Sequence, residues 1–118
     1  MRFYRCAECG KILFYKDSDT QPKDLEEIKV GSVDAAREKH IPVVSLEDGM
    51  AIAKVGEINH PMIDAHYIEW VIFETDKGYK KIDLKPGEEP VAKVSLNGEK
   101  LLRVYELCNL HGIWVKEL

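Results

Sequence analysis

His66-Tyr67-Ile68-Glu69-Trp70-Val71-Ile72-Phe73 is the stretch that decides the fold class. It is dense in aromatic and β-branched side chains, which suit a pleated, packed surface, and it ends at the turn signal Asp76-Lys77-Gly78. Outward from it the chain repeats one pattern, short apolar runs closed by turn residues. Downstream, Tyr79 to Leu84 ends at Lys85-Pro86-Gly87. Val91 to Leu96 then meets Asn97-Gly98, which fits a type I′ turn, and Lys100 to Leu107 returns from it as a hairpin partner. Ile113 to Lys116 is a last short strand. Upstream, Val43 to Leu46 and Met50 to Val55 flank Glu47-Asp48-Gly49, where Asp-Gly is a strong hairpin signal. Strands recurring at about 8 to 12 residue spacing predict an all-β domain, a sandwich or a small barrel.

The N-terminal region reads differently. Arg2 to Arg5 and Lys11 to Tyr15 are extended runs around a Cys6-Ala7-Glu8-Cys9-Gly10 knuckle, together half of a zinc ribbon. Asp17 to Lys23 is polar and turn-forming and marks a boundary between this hairpin appendage and the main domain. Asp24 to Glu27 reads as a helical turn. Ser32 is placed to cap a short helix through Glu38, which must stop near His40 because Pro42 disfavours the α conformation at Ile41.

The chain of 118 residues is 45% apolar, enough for one core, with a formal charge of −4 and no basic block. Nucleic acid and membrane partners are therefore not expected. The first residues lack the apolar stretch of a secretory signal, so the expected location is cytoplasmic. Three cysteines is an odd count for a disulfide framework and shifts weight toward metal or redox chemistry.

The chemistry gathers around Cys108-Asn109-Leu110-His111, a thiol and an imidazole on a tight turn. The other histidines, His40, His60 and His66, also fall at strand ends or connections, where a rigid scaffold can aim side chains at one point. Pro61 follows His60, and Pro42 lies two residues after His40; both restrict the backbone beside an imidazole. Singly, a histidine beside a proline is a surface residue and a free cysteine a small core residue. Together, four imidazoles and one thiolate form a candidate metal site. Structural zinc takes four ligands, one fewer than this set, whereas an octahedral metal would keep one position open, and iron fits best.

Two rivals read the same residues otherwise. A cupredoxin-like electron carrier uses two His, one Cys and a weak axial Met, but no Met follows His111 and two histidines are left over. A non-enzymatic zinc-binding module on Cys6 and Cys9 explains the knuckle and leaves the Cys108 set unexplained.

Three motifs, Glu38-Lys39-His40-Ile41-Pro42, His60-Pro61-Met62 with His66-Tyr67-Ile68-Glu69-Trp70, and Cys108-Asn109-Leu110-His111-Gly112, resemble those of the superoxide reductase family, the neelaredoxins and desulfoferrodoxins. The likeness divides the chain into a degenerate desulforedoxin-like segment, 1–32, and an iron-binding domain, 33–118. It implies an immunoglobulin-like β-sandwich with one mononuclear non-haem iron held by His40, His60, His66, His111 and axial Cys108. It also implies one-electron reduction of superoxide to hydrogen peroxide, a rubredoxin-like electron donor, and a homo-oligomer, dimer or tetramer. Glu38 would match a carboxylate that closes the open position, and Lys39 a cation that guides superoxide and assists protonation. Without the likeness, Glu38 and Lys39 read as a solvated pair at a helix end. One departure stands out. The four-thiolate centre of desulfoferrodoxins needs four cysteines, and no cysteine lies between Gly10 and His40. Cys6 and Cys9 are then a remnant, a local disulfide, or half of a zinc or iron site shared between two chains across a dimer axis.

Overall fold

A computed structural model of the chain describes residues 1–15, 23–33 and 35–118. The boundary turn expected at Asp17 to Lys23, up to residue 22, and Asp34 of the expected helix lie outside the described residues. The chain divides into two units, Met1–Val30 and Gly31–Leu118.

The first unit is a three-stranded antiparallel sheet of β1 (Arg2–Cys6), β2 (Ile12–Tyr15) and β3 (Leu25–Ile28), in the order β2-β1-β3. The hairpin of β1 and β2 forms as its extended runs predict, with Phe3 opposite Phe14 and Tyr4 opposite Leu13. The third strand corrects the helical turn expected at Asp24 to Glu27. Asp24 takes a positive φ of 63° and turns the chain, after which Leu25 to Ile28 pair with β1 from Cys6 to Phe3. Glu and Leu favour a helix, but a four-residue helix gains few internal hydrogen bonds, whereas the open edge of β1 satisfies a whole row of backbone groups. Arg2 Nε donates to Glu27 Oε2 at 3.0 Å across the sheet. The Glu27 carboxyl lies below its ordinary range because Lys29 and then Arg2 donate to it.

The second unit begins with one helical turn, α1 (Arg37–His40), and continues as β4 (Pro42–Glu47), β5 (Met50–Val55), β6 (Ile68–Thr75), β7 (Gly78–Asp83), β8 (Val91–Ser95), β9 (Leu101–Cys108) and β10 (Gly112–Glu117). These strands make two antiparallel sheets, β10-β9-β6-β7 and β4-β5-β8. The all-β sandwich read from strand spacing is the architecture observed. Its core interleaves small residues of β5 and β8 (Ala51, Ala53, Ala92) with Val71 and Phe73 of β6 and Val104 of β9. Small against large lets the facing layers close without voids.

Two details of the ladder position the site. A β-bulge between Ile68 and Trp70 inserts Glu69 as an extra residue, so that Ile68 and Val71, three apart, both join the core. Without it, Ile68 would point to the opposite face from Val71. The bulge also brings Ile68 opposite Cys108, so the start of β6 and the end of β9 meet.

The Asp48-Gly49 hairpin forms, with φ of 50° and 76°, both in the left-handed region that a type I′ turn requires. Asn97-Gly98 has the same signature, 52° and 81°, but it does not join a hairpin. Strand β8 bonds to β5, and β9 bonds to β6 and β10, so the turn carries the chain from one sheet to the other. Local turn chemistry sets the reversal. It does not choose the strand's hydrogen-bonding partner.

The expected helix is shorter than its sequence reading. Among the described residues only Arg37–His40 is helical, the N-cap position belongs to Ala36 and not Ser32, and no side chain caps it. Its end is where Pro42 puts it, with Ile41 extended at φ −72° and ψ 123°.

Candidate metal centre

His40 is the last residue of α1 and is almost fully buried. Its Nδ1–H donates to the Ala36 carbonyl at 2.7 Å, which leaves Nε2 as a bare lone pair pointing inward. His60, also buried, is set the same way. Its Nδ1–H donates to the Pro61 carbonyl at 2.7 Å, and its Nε2 lies 3.3 Å from His40 Nε2. His111 enters from the turn after β9, its Nδ1 3.1 Å from His40 Nε2 and 3.7 Å from Cys108 Sγ. His66 Nε2 is buried with no hydrogen-bond partner among the described residues.

The four rings form a near-square. Neighbouring centroids are 4.8 Å (His40 to His60), 4.5 Å (His60 to His66), 5.0 Å (His66 to His111) and 4.9 Å (His111 to His40) apart. The His40 to His66 diagonal is 6.4 Å. Adjacent rings stand at 76° to 90° to one another, edge to face. Ligand atoms of His40, His66, Cys108 and His111 lie within 4.8 Å of one another. His60 is outside that four-atom set and completes the square through His40 and His66.

This arrangement fits a metal ion and makes poor sense without one. With both Nδ1 atoms donating to carbonyls, neutral His40 and His60 face each other as two lone pairs, and no proton is available to bridge them. Protonation would supply one, but burial, reinforced by the neighbouring imidazoles, holds His60 down to about 4. Burial likewise lowers His40 and His66, the latter helped by His111 and then by the Lys39 ammonium. Two nitrogens bound at adjacent positions of a first-row metal at ~2.1 Å would sit about 3.0 Å apart, close to the 3.1 and 3.3 Å separations found. The carbonyl bonds to the outer nitrogens orient the rings and fix their tautomers, as partners of metal-bound histidines do. Burial pushes the Cys108 thiol up, opposed in part by the N–H groups of Leu110 and His111 aimed at its sulfur. A cation at the centre of the square would favour the thiolate instead.

The surrounding residues hold these groups in place. Trp114 stacks on His40 with centroids 5.0 Å apart and planes 28° apart, and its Nε1–H donates to the His111 carbonyl at 3.0 Å. Asn109 ties the two ligand loops together. Its Oδ1 accepts from Tyr67 N–H at 2.9 Å, its Nδ2 donates to the Ala65 carbonyl at 3.1 Å, and its own N–H donates to the Tyr67 carbonyl at 3.2 Å. Gly56 supports the Glu38-Lys39 backbone: Ile58 N–H donates to the Glu38 carbonyl at 3.2 Å, and an added Cβ at Gly56 would lie 2.7 Å from the Lys39 oxygen. Glu38 and Lys39 themselves have exposed side chains.

Trp114, Gly56 and Glu106 were not legible as site residues. Trp114 sits in an ordinary apolar run, and only the pairing of β10 with β9 brings it beside the histidines. Glu106 faces Trp114 and Val71 across the ladder, is fully buried, and has neither carboxylate oxygen partnered among the described residues. Burial raises its carboxyl well above the ordinary carboxylate range. The folded chain thus keeps a proton that the unfolded chain releases, so this group subtracts stability as pH rises from the ordinary carboxylate value toward the folded one. In metal-free protein, Glu106→Gln is expected to flatten that decline. Urea midpoints of the two proteins, compared between about pH 5 and 8, measure it. Parallel curves would show that Glu106 is not held protonated.

Cys6 and Cys9 belong to the first unit, on a turn closed by Gly10 N–H to the Cys6 carbonyl at 2.8 Å. Both thiols are free, and neither joins a group of three or more potential ligands among the described residues.

Comparison with known proteins agrees with this geometry. The sequence model of the Desulfoferrodoxin family matches residues 32–117. A desulfoferrodoxin homolog of Archaeoglobus fulgidus is 36% identical over 122 residues, covering 97% of this chain and 94% of the relative. A superoxide reductase of Pyrococcus abyssi is 31% identical over 107 residues, covering 75% of this chain and 93% of the relative. Among solved structures, the superoxide reductase from Treponema pallidum superposes with a TM-score of 0.83 at 34% identity, covering 98% of each chain. With a family match over residues 32–117 and a 36% identical relative matched over 97% of this chain, this chain belongs to the desulfoferrodoxin family.

Proposed function

We infer that the chain is a superoxide reductase, reducing superoxide by one electron to hydrogen peroxide, with His40, His60, His66, His111 and Cys108 as ligands of one non-haem iron. The observation that carries this reading is the square of four imidazoles in which His40 and His60 aim bare Nε2 lone pairs at each other across 3.3 Å, with the Cys108 sulfur beside it. A copper carrier needs two of the four histidines, and here all four converge. The iron, when bound, supplies the electron.

The chain's own residues supply the rest. His40 and His60 present Nε2 because the carbonyls of Ala36 and Pro61 occupy their outer nitrogens, His111 places Nδ1 beside His40 Nε2 and Cys108 Sγ, and His66 keeps a buried Nε2 with no hydrogen-bond partner among the described residues. A chain of net charge −4 repels an anion at long range, so a local cation must draw superoxide in. Lys39, exposed beside His40 and close enough to lower His66, is placed to do this and to keep proton donors near the site. Glu38, the preceding residue, offers the carboxylate that closes the site after peroxide leaves.

Residues 33–118 then form the iron-binding domain, and 1–32 a degenerate desulforedoxin-like segment. The family likeness supports a rubredoxin-like electron donor, a homo-oligomer and a cytoplasmic setting. Among the described residues no helix is long and apolar enough to cross a membrane.

Metal analysis of anaerobically purified protein, beside Cys108→Ser, tests the assignment. One iron per chain, lost or spectrally altered in the variant, together with superoxide consumption yielding peroxide, is the expected result. Copper, or no iron under any loading condition, overturns it. Lys39→Met is expected to keep its iron and lose superoxide rate by about tenfold at low salt, with the gap narrowing as salt screens the charge. Equal rates across ionic strengths would remove Lys39 from the reaction.

A further inference from the structure

The second unit accounts for Cys108, and nothing in the proposed reaction uses Cys6 and Cys9. Their setting is specific. Cys6 ends β1, and the chain reverses at once through Ala7-Glu8-Cys9-Gly10, closed by Gly10 N–H to the Cys6 carbonyl at 2.8 Å and Cys6 N–H to the Lys11 carbonyl at 2.9 Å. The Cys9 thiol and then the backbone N–H groups of Cys9 and Glu8, with the Lys11 ammonium, hold the Cys6 thiol below its ordinary value against a smaller opposing effect of burial. Such surroundings favour Cys6 as a thiolate nucleophile, and the free, exposed thiol of Cys9, three residues on in the same closed turn, is its resolving partner. With no third ligand beside them among the described residues, the two sulfurs lack the four-coordinate shell of a structural metal within one chain.

We propose that Cys6 and Cys9 are a peroxide-reactive dithiol, a second reactive site whose substrate is hydrogen peroxide, the product of the reaction proposed above. The Cys6 thiolate attacks one peroxide oxygen, the O–O bond breaks, and hydroxide leaves, giving Cys6 sulfenic acid. The Cys9 thiol then attacks the Cys6 sulfur, expelling the hydroxyl as water and forming the Cys6–Cys9 disulfide. Overall, two thiols and one peroxide give one disulfide and two waters. A dithiol reductant restores the pair by thiol–disulfide exchange.

The test uses the full chain, reduced, stripped of metal and treated with one equivalent of hydrogen peroxide, then alkylated and cut with trypsin. Cleavage after Arg5 and Lys11 releases Cys6-Ala7-Glu8-Cys9-Gly10-Lys11, which carries both thiols. The expected product is this peptide two hydrogens lighter and unalkylated, formed about tenfold faster than buried Cys108 is oxidised and reversed by dithiothreitol. Cys9→Ser protein, which lacks the resolving thiol, is expected to accumulate a sulfenic acid at Cys6 that dimedone traps. Peroxide is added directly, so this result does not depend on superoxide turnover, and a failed superoxide assay leaves it readable. A peptide that stays alkylated at both cysteines overturns the proposal. So does zinc bound at half an equivalent per chain by Cys108→Ser protein and lost when Cys9→Ser is added to that variant, because the pair is then a metal site shared between two copies.

Discussion

Iron affinity is expected to fall by at least about 100-fold in His60→Ala, more than the 10–100-fold typical of losing a residue that only orients a ligand. The loss originates in the contact between His60 and His40. Each imidazole spends its Nδ1–H on a backbone carbonyl, so each aims a lone pair at the other across 3.3 Å, an arrangement that only a cation between them makes favourable. Removing His60 opens one corner of the square and leaves His40, His66, His111 and Cys108 with an incomplete set. The metal-free protein should respond less. It loses a packed ring but also loses the lone-pair repulsion, so its thermal midpoint is expected to shift by only a few degrees, consistent with about 1 kcal/mol. Competition with a chelator measures the affinity, and melting of the stripped proteins supplies the control. If stripped His60→Ala is unfolded, the comparison moves to His60→Gln, which retains volume. Unchanged iron affinity in both would make His60 a packing residue beside a four-ligand centre.

The second large effect is expected at Gly56, a residue that supplies no ligand atom. Its φ is +85°, and a Cβ there would sit 2.5 Å from the Ile58 carbonyl oxygen, 2.7 Å from that of Lys39 and 2.8 Å from that of Glu38. All three obstacles are backbone, so none can swing away as a side chain would. Gly56→Ala must therefore strain the left-handed residue and push the Glu38-Lys39 segment outward, at a cost of roughly 2–4 kcal/mol. Gly49 is the control: its φ of +76° is similar, but no atom of the described residues lies within 4 Å of its Cβ position, so Gly49→Ala should cost only the conformational part, about 1 kcal/mol. Denaturant midpoints compare the two. Superoxide rates of the surviving Gly56→Ala protein, normalised to bound iron, are expected to fall because the Lys39 carbonyl and side chain move together. Equal stability losses in the two variants would show that the Glu38-Lys39 backbone yields to the new methyl group without cost.

Much of the second unit was readable along the chain, because its cues are local. The β-branched and aromatic run at Ile68 to Thr75, the Asp48-Gly49 turn and the helix end imposed by Pro42 each depend on a residue's own backbone preferences and those of its neighbours. The gathering of His40, His60, His66, Cys108 and His111 was legible for a related reason. Imidazoles and a thiol placed at strand ends already mark where a sandwich can aim them, and the structure brings those rings into one square. What the tertiary structure alone decided concerns partners distant in sequence. Leu25 to Ile28 became a strand because the edge of β1 offered hydrogen bonds that a four-residue helix could not match. The Asn97-Gly98 turn reverses the chain as its residues require, yet it separates two sheets, since β5 and β6 compete for β8 and β9 from elsewhere in the chain. Trp114 against His40, Gly56 beside the Lys39 carbonyl and the buried carboxyl of Glu106, without a partner among the described residues, arise in the same way. A residue's φ preference and polarity are its own, but whether its side chain meets a ring, a carbonyl or nothing is settled only when strands far apart in sequence are packed together.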